Sequence, residues 1–232
     1  MRNATAVLAI GAMYMLALTN ANAAPMLSDP DVEVPIASRG NVFAGAPFND
    51  SPGSSDLSFN PQLTIGGKIL VEVGTACKAI VPEENIPDDD DPIGWTLPGF
   101  DDSDWEDAEY GVGYADNDDA TVMGDGQHAA IYTRTSFDVG GTGGITELEI
   151  GMDWDDGFVV WINGVEAVRE SGTDIFSPAT WDSWTDAGSG HSHEATGTLV
   201  FITVPVRIVG SVLAIEAEGK LVGSWGALKR RY

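Results

Sequence analysis

Asp153-Trp154-Asp155-Asp156-Gly157-Phe158-Val159-Val160-Trp161-Ile162-Asn163-Gly164-Val165-Glu166-Ala167-Val168-Arg169 is the stretch whose reading decides the fold. An acidic approach ending in Gly157 leads into a run of strand formers, an Asn-Gly pair, and a second short run that mixes apolar and polar residues. This is a β-hairpin: a two-residue type I′ turn needs positive φ at both central positions, which Asn tolerates and Gly adopts without steric cost. In the first strand Phe158, Val160 and Ile162 share one face and Val159 and Trp161 the other. Both faces are apolar, so the strand belongs in the interior of a sheet covered on both sides. Asp153, Asp155 and Asp156 stand at its entrance, placed to cap the turn or to hold a cation.

Working outward, residues 130–137, 145–152, 198–206 and 211–217 also read as strands separated by Gly, Ser, Asp and Pro. Residues 68–73 form a further compact strand. Upstream, residues 40–67 hold turn clusters around Asn49 to Ser55 and an alternation of Leu57, Phe59, Leu63 and Ile65 that fits one or two short strands. Residues 83–92, with Asp88 to Asp91 consecutive, are too charged and too Pro-broken for anything but an exposed loop. Trp95, Phe100 and Trp105 alternate with turn residues and are placed to plug an edge of the core. No segment sustains a helical period. About eight strands with polar loops give an all-β chain, and two sheets packed face to face bury both sets of apolar faces.

The 232 residues suffice for one domain with a sizeable core. The net charge of −25 excludes electrostatic attraction to nucleic acid or anionic lipid, which needs clustered cations, and leaves calcium and other cations as partners. Acidity is also a solubility device of extracellular proteins. Residues 1–23 have the three parts of a signal peptide: Met1-Arg2-Asn3, the apolar run from Ala4 to Leu18, and Ala21-Asn22-Ala23 before the cut. The expected product is secreted or displayed at the cell surface, with no membrane insertion after signal cleavage. Residues 24–39 read as a flexible leader. Cys77, the single cysteine, excludes an internal disulfide, and its apolar neighbours predict burial.

Several blocks together resemble the galactose-binding-like jelly-roll modules of secreted bacterial proteins. These are Gly94-Trp95 with Pro98-Gly99-Phe100-Asp101-Asp102-Ser103-Asp104-Trp105, Gly111-Val112-Gly113-Tyr114-Ala115-Asp116, Ile131-Tyr132-Thr133-Arg134-Thr135-Ser136-Phe137, the hairpin quoted above, and Val212-Leu213-Ala214-Ile215-Glu216-Ala217. The resemblance spans about residues 68–217 and places the module proper in 68–232. It implies a two-sheet sandwich and the roles such folds host: carbohydrate binding, adhesion, or structure alone. One departure stands out. The segment that closes such modules resembles Ser54-Ser55-Asp56-Leu57-Ser58-Phe59, which lies here near the N-terminus, after Gly40-Asn41-Val42-Phe43-Ala44, itself a parallel of Gly210-Ser211-Val212-Leu213-Ala214. A remnant of a preceding module, a permuted strand completing its own sandwich, and a strand Leu57 to Ile65 given to another copy all fit; the self-completing strand is preferred. Donation would make self-association through Leu57 to Ile65 a route to assembly. The basic end Lys229-Arg230-Arg231 reads as exposed.

For function, Trp154, Trp181 and Trp184 lie in or beside polar loops, where an indole can stack on the apolar face of a sugar while residues such as Asp186 bind its hydroxyls. Asp116, Asp118 and Asp119 form an oxygen-rich loop without EF-hand spacing; with Asp153 and Asp155 they are the expected ligands of a structural calcium. No Gly-x-Ser-x-Gly elbow, His-Glu-x-x-His string or phosphate-cradling loop is present, so no catalytic residue is assigned. The expected protein is a non-catalytic module binding carbohydrate or a cell-surface glycan. The alternatives are a structural or adhesive module pairing through strand edges and, third, a metal-dependent hydrolase centred on His191, His193 and Glu194.

Overall fold

The structure is a computed structural model that describes residues 41–115, 119–140, 146–170, 177–185, 193–209, 212–217 and 220–221. The expected signal peptide (1–23), the leader (24–39) and the basic end lie outside the described residues. The hairpin forms as its sequence dictates. β10 (Gly157–Ile162) and β11 (Val165–Glu170) pair antiparallel across a turn in which Asn163 (φ 53°) and Gly164 (φ 81°) both take positive φ. Every residue of β10 is buried, with Phe158, Val160 and Ile162 in one core and Val159 and Trp161 in a second.

The described chain is all-β and contains no α-helix. The first sheet holds β1 (Asn41–Phe48), β4 (Ala76–Ile80), β5 (Glu106–Glu109), β8 (Tyr132–Phe137) and the hairpin, in the order β11-β10-β1-β8-β4-β5. The second holds β2 (Leu57–Ile65), β3 (Lys68–Val71), β6 (Val112–Tyr114), β7 (Thr121–Val122), β9 (Glu147–Asp155), β12 (Val200–Val209), β13 (Val212–Ala217) and β14 (Lys220–Leu221). Its order is β14-β13-β12-β9-β2-β6-β7, with β3 paired to β2. The two sheets form a β-sandwich. Its main core interleaves Phe43, Phe158, Val160 and Ile162 from the first sheet with Leu57, Phe59, Leu63, Leu148, Ile150 and Met152 from the second. The alternation read along Leu57, Phe59, Leu63 and Ile65 points these side chains inward, so Ser58, Asn60, Gln62 and Thr64 face outward.

Residues 41–65 complete both sheets of the same chain. β1 lies between β10 and β8, and β2 lies between β9 and β6, so each is hydrogen-bonded on both sides. This is the self-completing arrangement among the three that the sequence left open. β1 is longer than the short strand expected from 40–67, and all eight of its residues are buried. β4 and β5 were not legible in the sequence: β5 is a Glu-Asp-Ala-Glu edge strand whose alternation is masked by its acidity.

A second core covers the outer face of the first sheet. Trp95 stacks on Tyr132 (4.3 Å between ring centroids, 12° between planes) and meets Trp161 edge-on at 5.3 Å; Trp105 and Phe48 complete the cluster. The expectation that the Trp95 to Trp105 aromatics plug the core is met. Arg134, 4% exposed, clamps this layer: its Nε donates to Asp102 Oδ2 at 2.7 Å, and its guanidinium also donates to the Trp95 and Leu97 carbonyls. Cys77 is buried, and burial, followed by the Glu109 charge, pushes its thiol up to about 12. Among the described residues no helix is long and apolar enough to cross a membrane.

Candidate functional site

Among the described residues, the outer face of the second sheet is where a large aromatic ring is presented to solvent on a strand. Along β12, Ile202, Val204 and Val206 turn inward, which leaves Phe201, Thr203 and Pro205 outward. Phe201 is 53% exposed. Its cross-strand partner in β9 is Gly151, whose own partner in β2 is Gln62. Because Gly151 has no side chain the Phe201 ring lies across it, with Cε1 2.7 Å from where a Cβ would stand. Any other residue at 151 would displace the ring.

Beside this ring runs a groove of about 320 Å³. Its floor is the outward row Asn60, Gln62 and Asp153; Glu72 and Val73 form one rim and Gly197 and Leu199 the other. The segment 193–199 is held down by four contacts. His193 stacks on Trp154 (3.9 Å between centroids) and its Nδ1 lies 2.8 Å from the Trp154 carbonyl oxygen. The Thr196 and Gly197 N–H groups each donate to the Asp153 carboxylate at 2.9 Å. Two amides, two carboxylates and an adjacent exposed ring can hydrogen-bond and stack.

Farther along the same outward row of β9 stands Asp155. Carboxylate oxygens of Asp56, Asp155 and Glu194 come within 4.8 Å of one another. Asp155 is 5% exposed, and its carboxyl is pushed up to about 8, first by burial, then by Asp156 and Asp56. Asp156, also buried, accepts from the Asp50 N–H at 3.0 Å, tying the 49–56 loop to the end of β9. Three carboxylates with no nitrogen or sulfur donor suit a hard cation that takes oxygen ligands only, of which calcium is the accommodating example.

The structure places the sequence-predicted residues as follows. Trp154 is 7% exposed, edge-on to Phe158 and covered by His193, so it is a core residue and offers no ring face to a ligand. Trp181 is half-buried against the second core, with its backbone N–H donating to Asn85 Oδ1 at 3.3 Å; Trp184 is half-buried in the same segment. Neither lines the groove, which is on the second sheet. Asp186, Asp116, Asp118 and His191 lie outside the described residues. Asp119 is half-buried against Gly113. Asp153 is taken up by two backbone donors, while Asp155 alone of the described expected calcium ligands joins the three-carboxylate set.

No protein family, curated protein or solved structure matches the chain. The fold and the site therefore stand on the geometry alone.

Sequence reasoning missed Phe201 and Asp56. A signal for Phe201 was present, an aromatic on the outward parity of a strand whose other parity is Ile202, Val204 and Val206, but the strand's two faces had not been separated. Asp56 had no local signal. Glu194 was singled out with His191 and His193, yet its partners are carboxylates, and His193 spends its ring on Trp154.

Proposed function

We propose that the chain is a secreted, non-catalytic carbohydrate-binding module of the galactose-binding-like kind, which takes its glycan on the outer face of the second sheet. The observation that carries this reading is the exposed Phe201 ring, lying against Gly151 beside the groove floored by Asn60 and Gln62. A pyranose has an apolar face that stacks on an aromatic ring and a rim of hydroxyls that amides and carboxylates can bind in both directions. The galactose-binding-like kinship draws support from the ordered sequence blocks and the two-sheet sandwich. Asp56, Asp155 and Glu194 are the residues that would hold a structural calcium, tying the 49–56 loop and the 193–199 segment to the end of β9. The alternative of assembly through Leu57–Ile65 has less support, because β2 has no free edge.

The test is retention on a broad panel of immobilised glycans. Wild-type protein is expected to be retained on at least one, and Phe201→Ala to lose that retention with an unchanged Tm, since the ring is exposed. Absence of wild-type retention, or equal retention of Phe201→Ala, overturns the reading.

A further inference from the structure

The charge around Phe201 narrows the ligand class, an inference that rests on the glycan reading of this face. Among the residues lining the groove, Glu72 and Asp153 carry carboxylates and none carries a basic group. On the other side of the Gly151 row the outward positions of β9 are Glu149 and Glu147, both exposed. Lys68, in the neighbouring β3, directs its ammonium toward the Asp138 carbonyl at 3.4 Å. Alternate residues of a strand lie about 6.7 Å apart, so a sugar seated on Phe201 has the exposed Glu149 carboxylate one row away, and the Glu72 carboxylate stands on the groove rim. An anionic glycan would be repelled by this face and by the net charge of −25.

We propose that this face binds a cationic amino-sugar polysaccharide, with a pyranose ring on Phe201 and free ammonium groups against the exposed carboxylates of Glu149 and Glu72. Charge complementarity selects the cation, and the exposed Phe201 ring together with the hydroxyl-binding amides of Asn60 and Gln62 favours a sugar over a basic peptide, which carboxylates alone would attract. Glu72 and Glu149 determine specificity, while Phe201 supplies the stacking surface common to any glycan.

The experiment is calorimetric titration of the full chain with fully deacetylated glucosamine oligomers, with N-acetylated oligomers of the same length, and with oligolysine, at mildly acidic pH and low ionic strength. The deacetylated oligomer is expected to bind about tenfold more tightly than the acetylated one, the difference collapsing at high salt. The exposed double substitution Glu72→Gln with Glu149→Gln is expected to remove that preference; Phe201→Ala is expected to lose both sugars. Equal or tighter binding of the acetylated oligomer overturns the amino-sugar assignment and leaves the glycan reading standing. Binding of neither sugar, with no retention on the glycan panel, overturns both. Oligolysine binding as tight as glucosamine binding, with both indifferent to Phe201→Ala, reduces the face to non-specific charge and overturns the proposal.

Discussion

At the scale of single residues, Asn163 does more than its turn requires. Its sequence role is to accept positive φ before Gly164, and it does so. Its side chain also bridges the sandwich: Oδ1 accepts the Val42 N–H at 2.7 Å, and Nδ2 donates to the Leu213 carbonyl at 2.8 Å and to Asn41 Oδ1 at 3.1 Å. One amide thus joins the hairpin to β1 within its sheet and to β13 across the interior. Asn163→Ala loses these bonds, each worth about 1 kcal/mol net, and puts a non-Gly residue without a local hydrogen bond at positive φ; urea unfolding is expected to show a loss of about 3 kcal/mol. Asp155 gives a pH dependence. Its folded-state pKa near 8 lies above the ordinary value of 3.8, so the folded state binds the proton more tightly. In calcium-free buffer stability is therefore greatest below about pH 4 as far as this group is concerned, and falls as pH rises through about 8. Asp155→Asn is expected to flatten that decline in Tm. Added calcium is expected to raise the wild-type Tm at the alkaline end and to leave the Asn variant unchanged; equal calcium responses would remove Asp155 from the cation site.

At the scale of elements, the layer over the first sheet depends on one cation. β8 presents Arg134 outward, and its guanidinium gathers the 94–102 segment through Asp102, the Trp95 and Leu97 carbonyls and the Phe100 ring, 5.3 Å away. The aromatic stack of Trp95, Tyr132 and Trp161 sits directly beneath. Arg134→Met removes the charge while keeping an apolar stem, which leaves the two carbonyls without their donor. The expected cost is about 3 kcal/mol in chemical denaturation, with loss of near-ultraviolet dichroism from the tryptophans before loss of strand signal. The residues that build this layer were readable as core-plugging aromatics, because alternation with turn residues is a local pattern. The clamp was not readable, because nothing in Ile131 to Phe137 marks Arg134 as buried.

At the scale of the whole molecule, the N-terminal strands are central. β1 and β2 each occupy an interior position in one sheet and contribute Phe43, Leu57, Phe59 and Leu63 to the shared core. A chain beginning at residue 68 would leave a gap in each sheet with an unpaired strand edge on either side and lose those core side chains. It is expected to give no cooperative unfolding transition and no dispersed amide spectrum, whereas the chain from residue 41 should fold. Folding of the shorter chain would show that the first two strands are an accessory rather than half of the scaffold. The site has the same dependence: Gln62 and Asn60 on β2 are the groove floor, and Phe201 reaches them only across β9.

By itself the sequence determined what local physics can determine. Asn163-Gly164 set the turn and hence the hairpin register, the two apolar parities of Phe158 to Ile162 made that strand interior, and period-two alternation with Gly and Pro punctuation made the chain all-β in two layers. It could not determine which strands become neighbours, because pairing follows from the closure of two sheets at once and leaves no mark on any one segment. Tertiary structure alone set Gly151 beneath Phe201, put Trp154 under His193 rather than beside a ligand, and gathered Asp56, Asp155 and Glu194 from three distant segments. Side chains that meet across a sheet are selected by register and burial, and those are properties of the assembled sandwich.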